Sequence, residues 1–304
     1  MALWRTIRVT AVTTVAAITA FGVATLSGCA GPSPTAAPTG STEPAASPTA
    51  ASPTAAAPTA SQAPDPTPTA RDAELSSLLD SAAPSGSVDY AVALVNNRTG
   101  EAYAYHGDEL FATASIVKVD ILATLLRQQS GTLTASQTIL AQAMIRESDN
   151  DAASTLWGEI GGVDGLNATD AAVGLTDTTP GTDGWWGYTT TTVADQVKLV
   201  DAVSDPAGLL GAASATVTGL MGTVVSSQSW GVSAAARAGE SVILKNGWMT
   251  RADQGGRWTV NSIGRITGTG VDVTIAVMSE GNASDSAGIA FVEKLAKLTR
   301  DTLV

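Results

Sequence analysis

Phe111-Ala112-Thr113-Ala114-Ser115-Ile116-Val117-Lys118 runs from a loop into an apolar helical pattern that continues to Gln129. Residues three apart on a helix share a face, so Lys118 is expected to lie against the Ser115 hydroxyl. A serine hydroxyl is a poor nucleophile at neutral pH and needs an adjacent base. A lysine held neutral by partial burial supplies one. The start of the helix adds free backbone N–H groups and positive potential, which favour an oxyanion formed when serine attacks a carbonyl. Taken alone, Ser-x-x-Lys is equally a capping serine followed by a surface lysine.

Working outward, the N-terminal side carries a short helical pattern at 72–81, then a strand at 88–95, a turn at 96–100 and a hairpin partner at 101–106. On the C-terminal side, apolar residues recur at three- and four-residue spacing over 136–147, 151–160, 164–173, 193–203 and 213–225. Three strand-like stretches follow, at 241–248, 257–266 and 271–278, and a helix closes the chain over 284–302. Strands at both ends with helices between them predict an α+β domain. Its antiparallel sheet is built from both termini, flanked by the terminal helices, with an all-α subdomain inserted.

Two further constellations stand in this frame. Ser148-Asp149-Asn150 lies between two helical patterns, where Ser148 could pass a proton toward a leaving nitrogen and Asn150 could hold both Lys118 and a substrate amide. A helix cap explains the same three residues locally. Lys245-Asn246-Gly247 lies in a strand pattern, with a cation to attract a carboxylate and a glycine that lets the strand edge come close to a ligand. Ser-x-x-Lys, Ser-Asp-Asn and Lys-x-Gly in this order resemble the signature of class A β-lactamases and penicillin-binding proteins. The contexts match too, and the resemblance covers nearly all of 72–302.

The resemblance implies that Ser115 is acylated by a β-lactam or a D-Ala-containing cell-wall peptide. Lys118 would be its base, Ser148 the proton relay, Asn150 a contact to both, and Lys245 would sit over the site. The backbone N–H groups of Ser115 and Trp248 would form the oxyanion hole. Asn246, Gly247, Trp248 and Arg257 would contact substrate, Arg257 by donating to the substrate's carboxylate. A solvated strand end explains Arg257 as well. Neither a metal nor a dissociable cofactor is implied.

Three departures qualify the resemblance. The interval from Lys118 to Ser148 is short for the family, which predicts a more open cleft. Asn246 replaces a hydroxyl residue. The family's deacylating Glu has no counterpart, because 168–192 contains no Glu and offers only Asp170, Asp177 and Asp183. Asp183 is the candidate substitute, although an Asp in a Gly-rich loop also serves as a turn residue. Without a base, an acyl-enzyme persists. Trp185, Trp186, Trp230, Trp248 and Trp258 are candidates for a glycan or peptide groove, with core packing the alternative. His106 reads as a hairpin surface residue.

The first seventy residues do not read as globular. Arg5 and Arg8 precede an apolar stretch from Val9 to Leu26, and Leu26-Ser27-Gly28-Cys29 follows. This predicts an export signal over 1–28 and, by resemblance to the bacterial lipobox, lipidation of Cys29 in a lipoprotein of actinobacterial type. Cys29 is the single cysteine of the chain, so no internal disulfide is possible. Residues 29–70, rich in Pro, Ala, Thr and Ser, predict an extended tether, and 71–304 the folded domain. The net charge of −12 sits almost wholly in that domain and argues against nucleic acid as a partner. The expected protein is extracytoplasmic, held at the cell membrane by lipid, and monomeric. Its partners are β-lactams or cell-wall peptides. A non-catalytic envelope lipoprotein that binds peptidoglycan or a protein is the competing reading.

Overall fold

The computed structural model describes residues 69–83 and 88–304. The expected signal, Cys29 and all of the tether before Thr69 lie outside the described residues. The chain runs α1 (Ala70–Asp80), β1 (Asp89–Asn96), β2 (Ala102–Tyr105), β3 (Phe111–Ala112), α2 (Lys118–Gln128), α3 (Ala135–Gln142), α4 (Asn150–Glu159), α5 (Gly162–Val173), β4 (Thr190–Thr191) and α6 (Val193–Ser204). It continues through α7 (Ser214–Met221), β5 (Ser241–Arg251), β6 (Arg257–Gly268) and β7 (Val271–Asn282) to α8 (Asp285–Leu303). Helix α1 starts one residue before the expected domain boundary because Thr69 and Asp72 form a reciprocal capping box.

The main sheet has the order β2-β1-β7-β6-β5, with every neighbour antiparallel. It is assembled from both ends of the chain, as the sequence predicts. Strand alternation divides the core in two. Tyr90, Val92 and Leu94 pack with Val273, Ile275 and Val277 against Leu75 and Leu79 of α1 and Phe291, Val292 and Leu295 of α8. Ala91, Ala93, Ala276 and Met278 face the other way, onto the helical subdomain that includes Ile121, Leu125, Leu156 and Val200. Small residues on this second face let the helices approach the sheet closely.

The differences from the sequence reading fall at element ends. Strand β5 extends to Arg251 and β7 to Asn282, because the ladder continues through polar residues where hydrophobic alternation stops. The pattern at 136–147 is α3 followed by a π-helical turn at Ala143–Glu147. The helix read at 213–225 stops at Met221, before Gly222. The two-residue strands β3 and β4 pair with each other and tie the segment before Ser115 to Thr190 and Thr191.

Two carboxyls meet at the α2–α5 contact. Asp120, buried two residues past Lys118, is pushed well above the ordinary carboxylate range by burial and by the neighbouring Asp170. Asp170 is pushed up to about 6, chiefly by burial. Burial of the adjacent pair therefore favours a retained proton, held more tightly by Asp120 than by Asp170. Folded-state values above the unfolded value of 3.8 mean that the folded state holds extra protons. The stability this provides is complete at low pH and is lost as pH rises through about 6. The Asp120→Asn substitution supplies a donor that does not titrate. Thermal melts from acid to neutral pH should show a smaller loss of stability in the variant than in the parent; equal slopes would show that the two carboxyls do not share a proton.

Candidate active site

Ser115 lies in a 3-10 turn, Ala114–Val117, that leads into α2. Its neighbour Ala114 takes φ +47°, and Ser148, which follows the π-helical turn, takes φ +63°. Only five non-glycine residues among those described have positive φ, and these two flank the same site. Such conformations persist where surrounding contacts over-determine them, and π-turns recur at functional positions.

Lys118 is fully buried. Its Nζ donates to the Ser148 carbonyl at 2.6 Å and to Asn150 Oδ1 at 2.7 Å, and lies 3.2 Å from Ser148 Oγ. Lys245 reaches the same hydroxyl from β5, with Nζ 2.9 Å from Ser148 Oγ and 2.8 Å from the Asn246 carbonyl. The Trp186 ring closes the other side, 4.9 Å from Lys118 Nζ. Burial pulls the Lys118 ammonium down to about 7, against the attraction of Asp149, the N-cap of α4. Burial also holds Lys245 well below the ordinary lysine range, and the neighbouring Lys118 lowers it further. A neutral Lys118 has two N–H groups for Ser148 O and Asn150 Oδ1 and a lone pair toward Ser148 Oγ.

The three sequence constellations thus converge, though not in every detail. Lys118 forms no hydrogen bond with Ser115; its contacts go to Ser148 and Asn150. Such bonds often tighten only when substrate is bound. Gly247 faces the protein's own backbone: a Cβ there would stand 2.7 Å from Ser115 N and Thr113 O and 2.9 Å from Ile116 N. The absent side chain lets β5 lie against the Ser115 turn, and Trp248 is the next residue along it.

Asn246 is turned away from Ser115, as alternation from Lys245 requires. Its buried amide donates to the Gln228 and Trp230 carbonyls at 2.8 and 3.1 Å, so the expected substrate contact by this side chain is not available. Arg257 is also misplaced by the sequence reading. The residue opposite Gly247 is Asn261, and Arg257 pairs with Arg251 at the far end of the hairpin, four residues or ~13 Å further along the strand. There it donates to the Gly281 carbonyl at 2.9 Å. Asp183 is exposed in a turn at φ +53° and hydrogen-bonds none of the site residues. Among the described residues no carboxylate hydrogen-bonds to Ser115, Lys118, Ser148, Asn150 or Lys245. Trp230 is buried, which removes it from any open groove, and it packs edge-on at 5.9 Å to Trp248, which is half-exposed.

Two supports escaped the sequence reading. Asn261 is fully buried and donates to the Ala112 and Thr113 carbonyls at 2.8 and 3.1 Å, fixing the turn before Ser115 to the sheet. Thr113 N donates to Thr189 O at 2.8 Å, which fixes the same turn to the 179–190 loop. A polar residue inside the β6 pattern was the available signal for Asn261.

Comparisons with known proteins bear on the family and the fold. The family model of the Beta-lactamase enzyme family matches residues 129–303, a span that includes Ser148, Asn150 and Lys245 and begins after Ser115 and Lys118. LppW of Mycobacterium tuberculosis, which bears a lipoprotein name, is 28% identical over 205 residues, 62% of this chain. The chain spans 64% of the length of that relative. A β-lactamase structure from Xanthomonas campestris superposes with a TM-score of 0.66 at 19% identity, covering 77% of this chain and 99% of that one. A mutant of PBP-A in acyl-enzyme complex with penicillin G gives 0.64 at 17% identity, covering 76% and 95%. These likenesses establish a β-lactamase/transpeptidase-like fold.

Gly247→Ala should destabilise the protein by roughly 1–3 kcal/mol, since the contacts it would violate are with backbone. Gly158→Ala, in an open position on α4, should be neutral or stabilising by up to ~1 kcal/mol. Denaturant unfolding of the two variants checks the contrast, and equal stabilities would refute the close approach of β5 to the Ser115 turn.

Proposed function

We propose, from the premise that this chain belongs to the beta-lactamase enzyme family, that it is a serine hydrolase which forms an acyl-enzyme through Ser115 with β-lactams or D-Ala-containing cell-wall peptides. The observation that carries the reading is the convergence of Lys118 and Lys245 on the Ser148 hydroxyl beside Ser115. A binding module has no use for two lysines buried at the expense of their charge.

In this reading neutral Lys118 takes the Ser115 proton, directly or through Ser148, as Oγ attacks the substrate carbonyl. The oxyanion is held by the backbone N–H groups of Ser115 and Trp248. The C–N bond then breaks, and Ser148 delivers the proton to the leaving nitrogen. Lys245 holds the Ser148 hydroxyl over the site, and Asn150 holds Lys118 and the substrate amide. Arg257 and Asn246 have no part in it. Asp183 is not retained as the deacylating base. Among the described residues no carboxylate hydrogen-bonds to the site residues, which supports slow release of the acyl group.

The same reading places the domain, residues 71–304, outside the cytoplasm on a tether joined to a lipidated Cys29, in keeping with the lipoprotein name of its relative. Incubation of the protein with a penicillin, followed by intact mass, should show a covalent adduct that persists for many turnover times of a working β-lactamase. The Ser115→Ala variant should show none. An adduct that survives this substitution, or none on the parent with either a penicillin or a D-Ala-D-Ala peptide thioester, would sink the proposal.

A further inference from the structure

The 179–190 loop presents a second concave surface. Thr179–Thr182, Trp185, Tyr188 and Thr190 line a cavity of about 530 Å³, within the size range of small-molecule sites. Trp185 is 66% exposed and Tyr188 41%, and their rings meet edge-to-face at 6.0 Å. Leaving an indole in water forgoes a large part of the stabilisation its burial would give. Two such rings side by side mark a surface made for contact.

The loop is held in shape. Thr179 and Thr190 exchange backbone hydrogen bonds of 2.8 and 2.9 Å, and Gly181 N donates to Thr189 Oγ1 at 3.0 Å. The outer side of Tyr188 is covered by the Arg251 guanidinium at 5.5 Å, itself fixed by Asp253 and Glu280. The aromatic pair is therefore preorganised and requires little ordering on binding.

The lining decides the ligand. It contains no carboxylate, lysine or arginine, and Arg251 is already neutralised by two carboxylates. An anionic ligand finds no free cation there, on a domain that is itself acidic. The Thr179, Thr182 and Thr190 hydroxyls, the Trp185 indole N–H and the Tyr188 hydroxyl have no hydrogen-bond partner among the described residues. Flat π-faces beside uncommitted hydroxyls and an N–H fit a molecule with C–H faces and equatorial hydroxyls. We propose that this groove binds a neutral pyranose oligosaccharide, stacked on Trp185 and Tyr188 and hydrogen-bonded by the threonines. The same loop carries Trp186 against Lys118 and Thr189 against Thr113, so a bound glycan would lie next to the Ser115 elbow.

The proposal goes beyond the acyl-transfer reading and does not require it. N,N′,N″-triacetylchitotriose and cellotriose, both neutral, titrated separately into the full chain, test it by NMR of the tryptophan indole N–H signals, with the Trp185 signal assigned from a Trp185→Phe variant. At least one trisaccharide should shift the Trp185 signal saturably, and Trp185→Ala should weaken binding about tenfold with unchanged thermal stability. Ser115→Ala should bind as the parent does, which separates this site from the catalytic reading. Binding that survives both Trp185→Ala and Tyr188→Ala overturns the proposal. So does failure of both sugars at millimolar concentration, or capture of a Pro-Thr-rich peptide in place of either sugar.

Discussion

Two buried lysines share one serine hydroxyl. Lys118 comes from the helical subdomain and Lys245 from the edge of the sheet, and both end within 3.2 Å of Ser148 Oγ. Burial strips both ammonium groups of their hydration, and Lys118 further disfavours the charge on Lys245, so the arrangement favours giving up a proton. Lowering Lys118 from 10.5 to about 7 corresponds to roughly 5 kcal/mol of bias toward the neutral amine. That outweighs the opposing pull of Asp149, whose carboxylate is spent on capping α4 and remains in solvent.

The rest of the molecule holds this contact in place. Strand β5 reaches the Ser115 turn because position 247 has no side chain, and Asn261 on the next strand anchors the turn through two carbonyls. On the other side the β3–β4 pair and the Thr113–Thr189 bond draw in the loop that carries Trp186, whose ring shields Lys118. Ala114 and Ser148 accept unfavourable backbone conformations within this frame. The sheet, assembled from distant parts of the chain, is what brings residues 115, 148 and 245 together.

Much of this was legible in the sequence. The order of Ser115-x-x-Lys118, Ser148-Asp149-Asn150 and Lys245-Asn246-Gly247 pointed to one site, and hydrophobic periodicity gave the α+β arrangement. What could not be read was strand register and the direction of side chains relative to it. Asn246 and Arg257 were expected at substrate because they lie near Lys245 in sequence or in a related pattern. Alternation turns Asn246 inward, and the long β5–β6 hairpin carries Arg257 away. The two-residue strands β3 and β4 have no periodicity to detect. Asn261 was hidden because an isolated polar residue in a strand carries no sign of which backbone it will hold.

The account depends on Lys118 being an amine, not an ammonium, for much of the time at neutral pH. Direct titration of the lysine side chains by carbon-detected NMR of ε-labelled protein, with the Lys118 signal identified by its loss in Lys118→Met, measures this without any substrate. The account predicts a midpoint about 7. A Lys118 that titrates with ordinary lysines near 10.5 would contradict it, and Ser115 would then lack its base.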